Sequence, residues 1–256
     1  MPNPIAHPAV SIPFTKAGMV FSALVIGSLA PDFGYFIPLP SPLFMYTAAG
    51  LILFDVPMGF VLLWLFHTLV KWPLLSLLPE PMQRRLFKHA HGFTFGPPKR
   101  FGMILLSLLV GSLTHVIWDS FTHVYGWMTE HFAYLSTTIG GTPIYTILQN
   151  LSSLIGILVL LYWFIRWLRT APQGDQLPAR FSKGIRTIFF VLAAACLAAI
   201  EGAILYSRLI SGSHFALGRF HLHSTIFSAV FIISFFTGIY CLAWMIKFHK
   251  FVRRAG

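Results

Sequence analysis

Carboxylates are scarce in this chain. Seven Asp and Glu stand against 18 Lys and Arg in 256 residues, a formal net charge of +11, and charged side chains make up only 10%. With 56% of residues hydrophobic and a mean hydropathy of +0.75, a soluble domain of this length could not hide its apolar surface. Lipid tolerates such a surface provided the backbone is satisfied within helices or a closed barrel. Cysteine is nearly missing as well: Cys196 and Cys241 both fall in apolar runs, where a thiol behaves as a small hydrophobe, and no disulfide is expected. The sequence has no Gly-x-Ser-x-Gly elbow, no phosphate-cradling glycine loop and no Cys-x-x-Cys pair, so nucleophilic-serine and nucleotide-dependent chemistry have no support. The opening Met1 to Pro8 lacks the basic region and apolar core of a signal peptide, and insertion is expected to rely on internal helices.

Long continuous apolar runs, rather than short alternating ones, select helices over a barrel. Five are long enough to span a bilayer: about 44–70, 101–122, 144–168, 186–210 and 222–246. A sixth, about 17–30, is short. It is expected to stop at Ala30-Pro31-Asp32, because a residue before proline is biased away from helix, and a re-entrant or half-buried element is the alternative to a span. The fold class is therefore all-α: a polytopic helical membrane protein with five to six transmembrane helices. Pro-rich and charged linkers at 79–99 and 171–180 suggest a helical core over 1–170, a cytoplasmic linker at 171–185, and a final helix pair with a basic tail at 186–256.

The positive charge is clustered between the runs. Lys71, Arg84, Arg85, Lys88, Lys99 and Arg100 form one group; Arg166, Arg169, Arg180, Lys183 and Arg186 a second; Lys247, Lys250, Arg253 and Arg254 a third. Such clusters report topology rather than nucleic-acid binding. With all three in the cytoplasm the segments alternate without conflict, the 124–143 loop lies outside and the C-terminus inside.

Within the second long run, Thr114 to His123 places His115, Asp119 and His123 at i, i+4 and i+8, on one drifting face of a helix. An ionisable group at membrane depth costs about 2.5–3.5 kcal/mol on insertion scales, so three together need a metal, one another or a wet cavity. The charge pattern sets His123 at the outer end, with Asp119 about 6 Å and His115 about 12 Å deeper by helical rise. Three further carboxylates, Asp32, Asp55 and Glu201, lie within or beside apolar segments. Asp32 can reach the mouth near His123 as a ligand or base, or simply end a helix in a turn. Asp55, beside Pro57, and Glu201, which could pair with Arg208, are read as contacts between helices. His7 belongs to the site only if the N-terminal segment folds back onto the same face. His214, His221 and His223 could add imidazoles from an outer loop.

Several phrases together carry a resemblance: His7-Pro8-Ala9, Leu24 to Ser28 followed by Ala30-Pro31-Asp32-Phe33, Gly50-Leu51 with Phe54-Asp55-Val56-Pro57, and His115 through His123 with Gly126. Over most of residues 1–165 the chain resembles the bacterial membrane family catalogued as domain of unknown function 4184. That family is distantly similar to membrane-bound metal-dependent hydrolases and, through them, to the zinc-dependent phospholipase C and P1 nuclease fold. The resemblance implies a phospholipase C-like helical core in a bacterial inner-membrane protein. It also implies a metal site built from His7, Asp32, His115, Asp119 and His123, with phosphoesters as the substrate class. Where the family pattern reads Phe-Ser-His-Thr, this chain has Phe44-Met45-Tyr46-Thr47, and a neutral phenol is a much poorer zinc ligand than imidazole.

Two functions follow as expectations. The first is a hydrolase using a divalent metal, zinc given the mixed N/O donors, at the non-cytoplasmic face. Asp32 or Asp119 would serve as base, and a membrane lipid or lipid-linked phosphoester as substrate. The second is a non-catalytic scaffold or small transporter that keeps the fold, which Tyr46 favours.

Overall fold

A computed structural model describes the backbone of residues 4–35, 42–175, 177, 180–210 and 232–249. The protein is all-α: the described strands are a two-residue pair, β1 (Thr138–Ile139) and β2 (Thr142–Pro143), turned through Gly140 and Gly141 at positive φ. The helices are α1 (Pro8–Ser11), α2 (Phe21–Gly27), α3 (Ala48–Leu77), α4 (Glu80–His91), α5 (Pro98–Thr122), α6 (Trp127–His131), α7 (Ala133–Ser136), α8 (Ile144–Thr170), α9 (Lys183–Ile210) and α10 (Ile232–His249). Five are long and apolar enough to cross a membrane, namely α3, α5, α8, α9 and α10, which makes this a multi-pass membrane protein. The fifth apolar run begins at 222, but 222–231 lie outside the described residues.

The short sixth run does not cross. α2 has seven residues, about 10 Å by helical rise against a hydrocarbon core of about 30 Å. It also ends earlier than expected, at Gly27, with a 3₁₀ turn over Ala30–Tyr35 carrying Asp32. Pro31 is the reason. Having no amide, it cannot bond the Gly27 carbonyl, and its ring crowds that carbonyl's position in a continuing helix. The Asp32 amide turns instead to Leu29 O at 3.3 Å. Two carbonyls are thus left over, and α5 supplies both partners. The Ser112 hydroxyl donates to Gly27 O at 3.0 Å, and His115 Nδ1 lies 2.8 Å from Ser28 O.

That pairing requires backbones in contact. A Cβ on Gly27 would collide with the Leu108 carbonyl, and one on Gly111 with Leu24 O and Ser28 N, so glycine on each helix permits the crossing. Ser107 Oγ accepts the Val20 amide at 2.9 Å, holding the start of α2 to the same helix. Around these polar contacts Val20, Ala23, Leu63, Ile104 and Leu108 form an apolar cluster.

α3 is not uniform. It widens into π turns at Leu51–Asp55 and Phe66–Val70, two and three residues ahead of Pro57 and Pro73. At the first, the Val56 amide reaches back five residues to Leu51 O, a register change that accommodates a proline without a break. Thr47 caps the helix, its hydroxyl accepting the Gly50 amide at 3.0 Å.

The chain divides into two compact units, 1–67 with 93–172, and 68–92 with 173–256. The division departs from a linear one: 68–92 groups with the C-terminal helices rather than with the 1–170 core. In the second unit Trp72, Leu75, Leu177, Phe181, Tyr240 and Trp244 form the core. Arg180 donates to the carbonyls of Ser76 (3.1 Å) and Leu78 (2.6 Å), groups that the end of α3 leaves without helical partners. The candidate site lies wholly in the first unit.

Candidate metal centre

The buried face of α5 is narrow and unusually polar for a span: Ser107, Ser112, His115, Asp119 and Thr122 are all enclosed with Gly111. His115 and Asp119 are one turn apart, and Asp119 Oδ2 stands 3.0 Å from His115 Nε2. Because the Ser28 carbonyl can only accept, Nδ1 of His115 carries a proton, so in the neutral ring Nε2 presents a lone pair. A carboxylate oxygen faces that lone pair. Two acceptors at this distance repel unless a cation sits with them.

His7 completes the arrangement from the other end of the chain. The N-terminal segment does fold back: a 3₁₀ turn (Pro4–Ala6) and α1 pack on α8, where Gly156 leaves room for the backbone of Ala6. His7 is thereby buried, stacked on His115 with centroids 3.9 Å apart, its Nε2 3.5 Å from Asp119 Oδ1. Burial, with His115 close by, pushes the His7 imidazole down to about 3, so it stays neutral. One ligand atom each from His7, His115 and Asp119 lie within 4.8 Å of one another. His115 Nε2 and Asp119 Oδ1 are buried without a hydrogen-bond partner. A proton shared between His115 and Asp119 would satisfy only one of these contacts, whereas a divalent ion would answer all three donors at once. The residues fit a metal, and Ser28 O would then play the outer role that orients a metal-binding imidazole.

The remaining candidates surround this cluster without joining it equally. Asp32 Oδ1 lies 3.6 Å from His115 Nε2, and its side chain is 14% exposed, opening toward solvent. Burial raises its pKa, partly offset by His115 and by a hydrogen bond from Tyr46. His123 is farther out. α5 ends at Thr122, and His123 has extended backbone (ψ 148°); its amide still bonds Asp119 O at 3.0 Å, and its ring is 25% exposed with Nδ1 3.5 Å from Asp119 Oδ2. Asp55 is fully buried in the first π turn, and neither carboxylate oxygen has a hydrogen-bond partner among the described residues. His214, His221 and His223, and the side chains of Glu201 and Arg208, lie outside what the structure describes.

Tyr46 is the residue whose place the sequence least explained. It ends a 3₁₀ turn, Pro42–Tyr46, that lies so close on α3 that a Cβ at Gly50 would meet the Phe44 carbonyl. From there its hydroxyl donates to Asp119 Oδ2 at 3.2 Å. The phenol is therefore a clamp on the carboxylate. Tyr46→Phe is expected to retain metal but to destabilise the protein by about 1.5–3 kcal/mol, the range for a hydrogen bond to a charged group, read as a lower melting temperature in detergent.

No curated protein and no solved structure matches the chain. The family profile described as "Domain of unknown function (DUF4184)" matches residues 1–246, from the N-terminal His7 segment into the last described helix, and the chain belongs to that family.

Proposed function

We propose that the protein is a divalent-metal-dependent hydrolase of a phosphoester or lipid-linked substrate, working at the non-cytoplasmic face of a bacterial inner membrane. The observation that supports this is the set of His7, His115 and Asp119, buried with their donor atoms within 4.8 Å of one another, in which His115 Nε2 and Asp119 Oδ1 have no hydrogen-bond partner. Nitrogen and carboxylate donors together favour zinc. When bound, such an ion polarises a phosphoryl oxygen and makes water a stronger acid. The residues do the rest. His7 and His115 offer neutral nitrogens, Ser28 holds the His115 ring, and Tyr46 holds the Asp119 carboxylate. Asp32, the more exposed of the two carboxylates, is placed to accept a proton from water at Oδ1.

Metal analysis of protein purified without chelators tests this reading, with about one zinc or manganese per chain expected and loss in His115→Ala and Asp119→Ala. Metal-free wild-type protein would favour the non-catalytic scaffold or transporter, the reading to which the Tyr46 hydroxyl on Asp119 lends support. The orientation rests on the basic clusters and has its own check. Cysteines introduced at Tyr125, which is 74% exposed, and at Arg85 should label from opposite sides of the membrane, with Arg85 and the C-terminus cytoplasmic. Labelling from one side overturns that topology.

A further inference from the structure

A cavity of about 270 Å³ opens beside the cluster, between the N-terminal segment, α5 and α8. Ala6, Ala9 and Val10 line one wall, and Ile155, Gly156 and Val159 of α8 the other. Polar atoms gather at one end. There Trp118 donates its indole N–H to Ser152 Oγ at 3.2 Å, and the Ser153 hydroxyl donates to the Gln149 carbonyl at 2.7 Å. His7 lines the cavity too, so the groove and the metal cluster share a side chain. From Ser152 to Val159 the groove follows α8 for about 10 Å by helical rise, starting at the level of Trp118, next to Asp119.

What fills it is set by its surroundings. α8 buries none of its residues, and Leu151, Leu154, Leu158 and Leu161 are each more than half exposed on a membrane-spanning helix. A cavity opening through such a wall draws its occupant from hydrocarbon, since apolar walls offer water no partners. Its direction is also informative. In the orientation proposed above, the polar end with His7 faces the outer surface and the apolar end the midplane, the same sense as a lipid of the outer leaflet. The geometry points to this groove as the binding site for an acyl chain of a phospholipid whose phosphate lies at the cluster. The inference rests on the hydrolase reading and narrows its substrate class from a phosphoester or lipid-linked substrate to a phospholipid held by one acyl chain.

The test counts lipid rather than turnover. Full-length protein, stripped by detergent exchange, is incubated with dioleoylphosphatidylglycerol or, separately, oleic acid, and bound molecules are counted by native mass spectrometry, with metal measured on the same samples. Wild type is expected to retain about one phospholipid per chain, and Val159→Trp and Ala9→Trp, which put an indole into the groove, about fivefold less. Leu161→Trp, two residues from Val159 and so on the opposite face of α8, is expected to match wild type. Circular dichroism and melting temperature identify any variant that fails to fold, and the inference is read from the other. Equal retention in all four proteins means ordinary annular lipid and overturns it, as does retention of oleic acid in place of phospholipid or of neither. Metal content separates the two failures: metal without retained lipid refutes the groove alone, while protein that binds lipid but no metal refutes the hydrolase reading.

Discussion

Gly111→Ala is expected to cost the cluster its metal although no ligand is altered. A single Cβ at this position meets the carbonyl of Leu24 and the amide of Ser28, backbone atoms that cannot rotate aside, so α2 has to move away from α5. Moving it lengthens the 2.8 Å contact from His115 Nδ1 to Ser28 O and the 3.0 Å bond from Ser112 to Gly27 O together. Loss of such an outer partner typically lowers metal affinity about 10–100-fold. Overpacking adds about 1–3 kcal/mol of destabilisation. Gly102→Ala is the matched control: it lies on the same helix with nothing within 4 Å of the new Cβ, and alanine is the better helix former by about 1 kcal/mol. Zinc titration of both variants, with melting curves, is the measurement. Equal affinity in the two would show that the close crossing does not hold the site.

Asp119→Ala has the other large effect, and it differs with and without metal. The carboxylate is the common neighbour of His7 Nε2 (3.5 Å), His115 Nε2 (3.0 Å), His123 Nδ1 (3.5 Å) and the Tyr46 hydroxyl (3.2 Å). Without metal, removing it relieves a buried charge while taking one partner from the Tyr46 hydroxyl, and these oppose each other, so the change in stability is modest. With metal the balance is one-sided. At a free zinc concentration 100 times its dissociation constant, wild type is expected to gain about 2.7 kcal/mol from binding, and the variant, lacking the anionic member of the His7, His115 and Asp119 set, essentially none. The diagnostic quantity is the zinc-induced rise in melting temperature. An equal rise in both proteins places the metal elsewhere.

The sequence announces the spans because hydrocarbon leaves one solution for a long apolar run, and α3, α5 and α8 begin or end within a few residues of where hydropathy sets them. The His115 and Asp119 pair is equally legible, since i and i+4 meet on any helix. The same spacing brings His123 Nδ1 to 3.5 Å from Asp119 Oδ2, although α5 ends one residue earlier and leaves the ring 25% exposed. His7 and Tyr46 lie outside periodicity altogether. The ring of one arrives through packing of a short N-terminal turn against Gly156, far along the chain, and the hydroxyl of the other through a local turn seated on Gly50 that carries it to the distant Asp119. The grouping of 68–92 with the C-terminal helices is hidden for a similar reason, because α3 runs unbroken by composition through residue 67, where the units divide.

Pro31 has no polar side-chain atom and touches no ligand, yet it governs the chemistry of His115. An amide at position 31 would let α2 continue, and the amides of residues 31 and 32 would occupy the Gly27 and Ser28 carbonyls from within their own helix. His115 would then compete with a helical amide for the acceptor that tells its two nitrogens apart. Which nitrogen of His115 faces Ser28 with a proton is in this sense written by a hydrogen that the chain does not have.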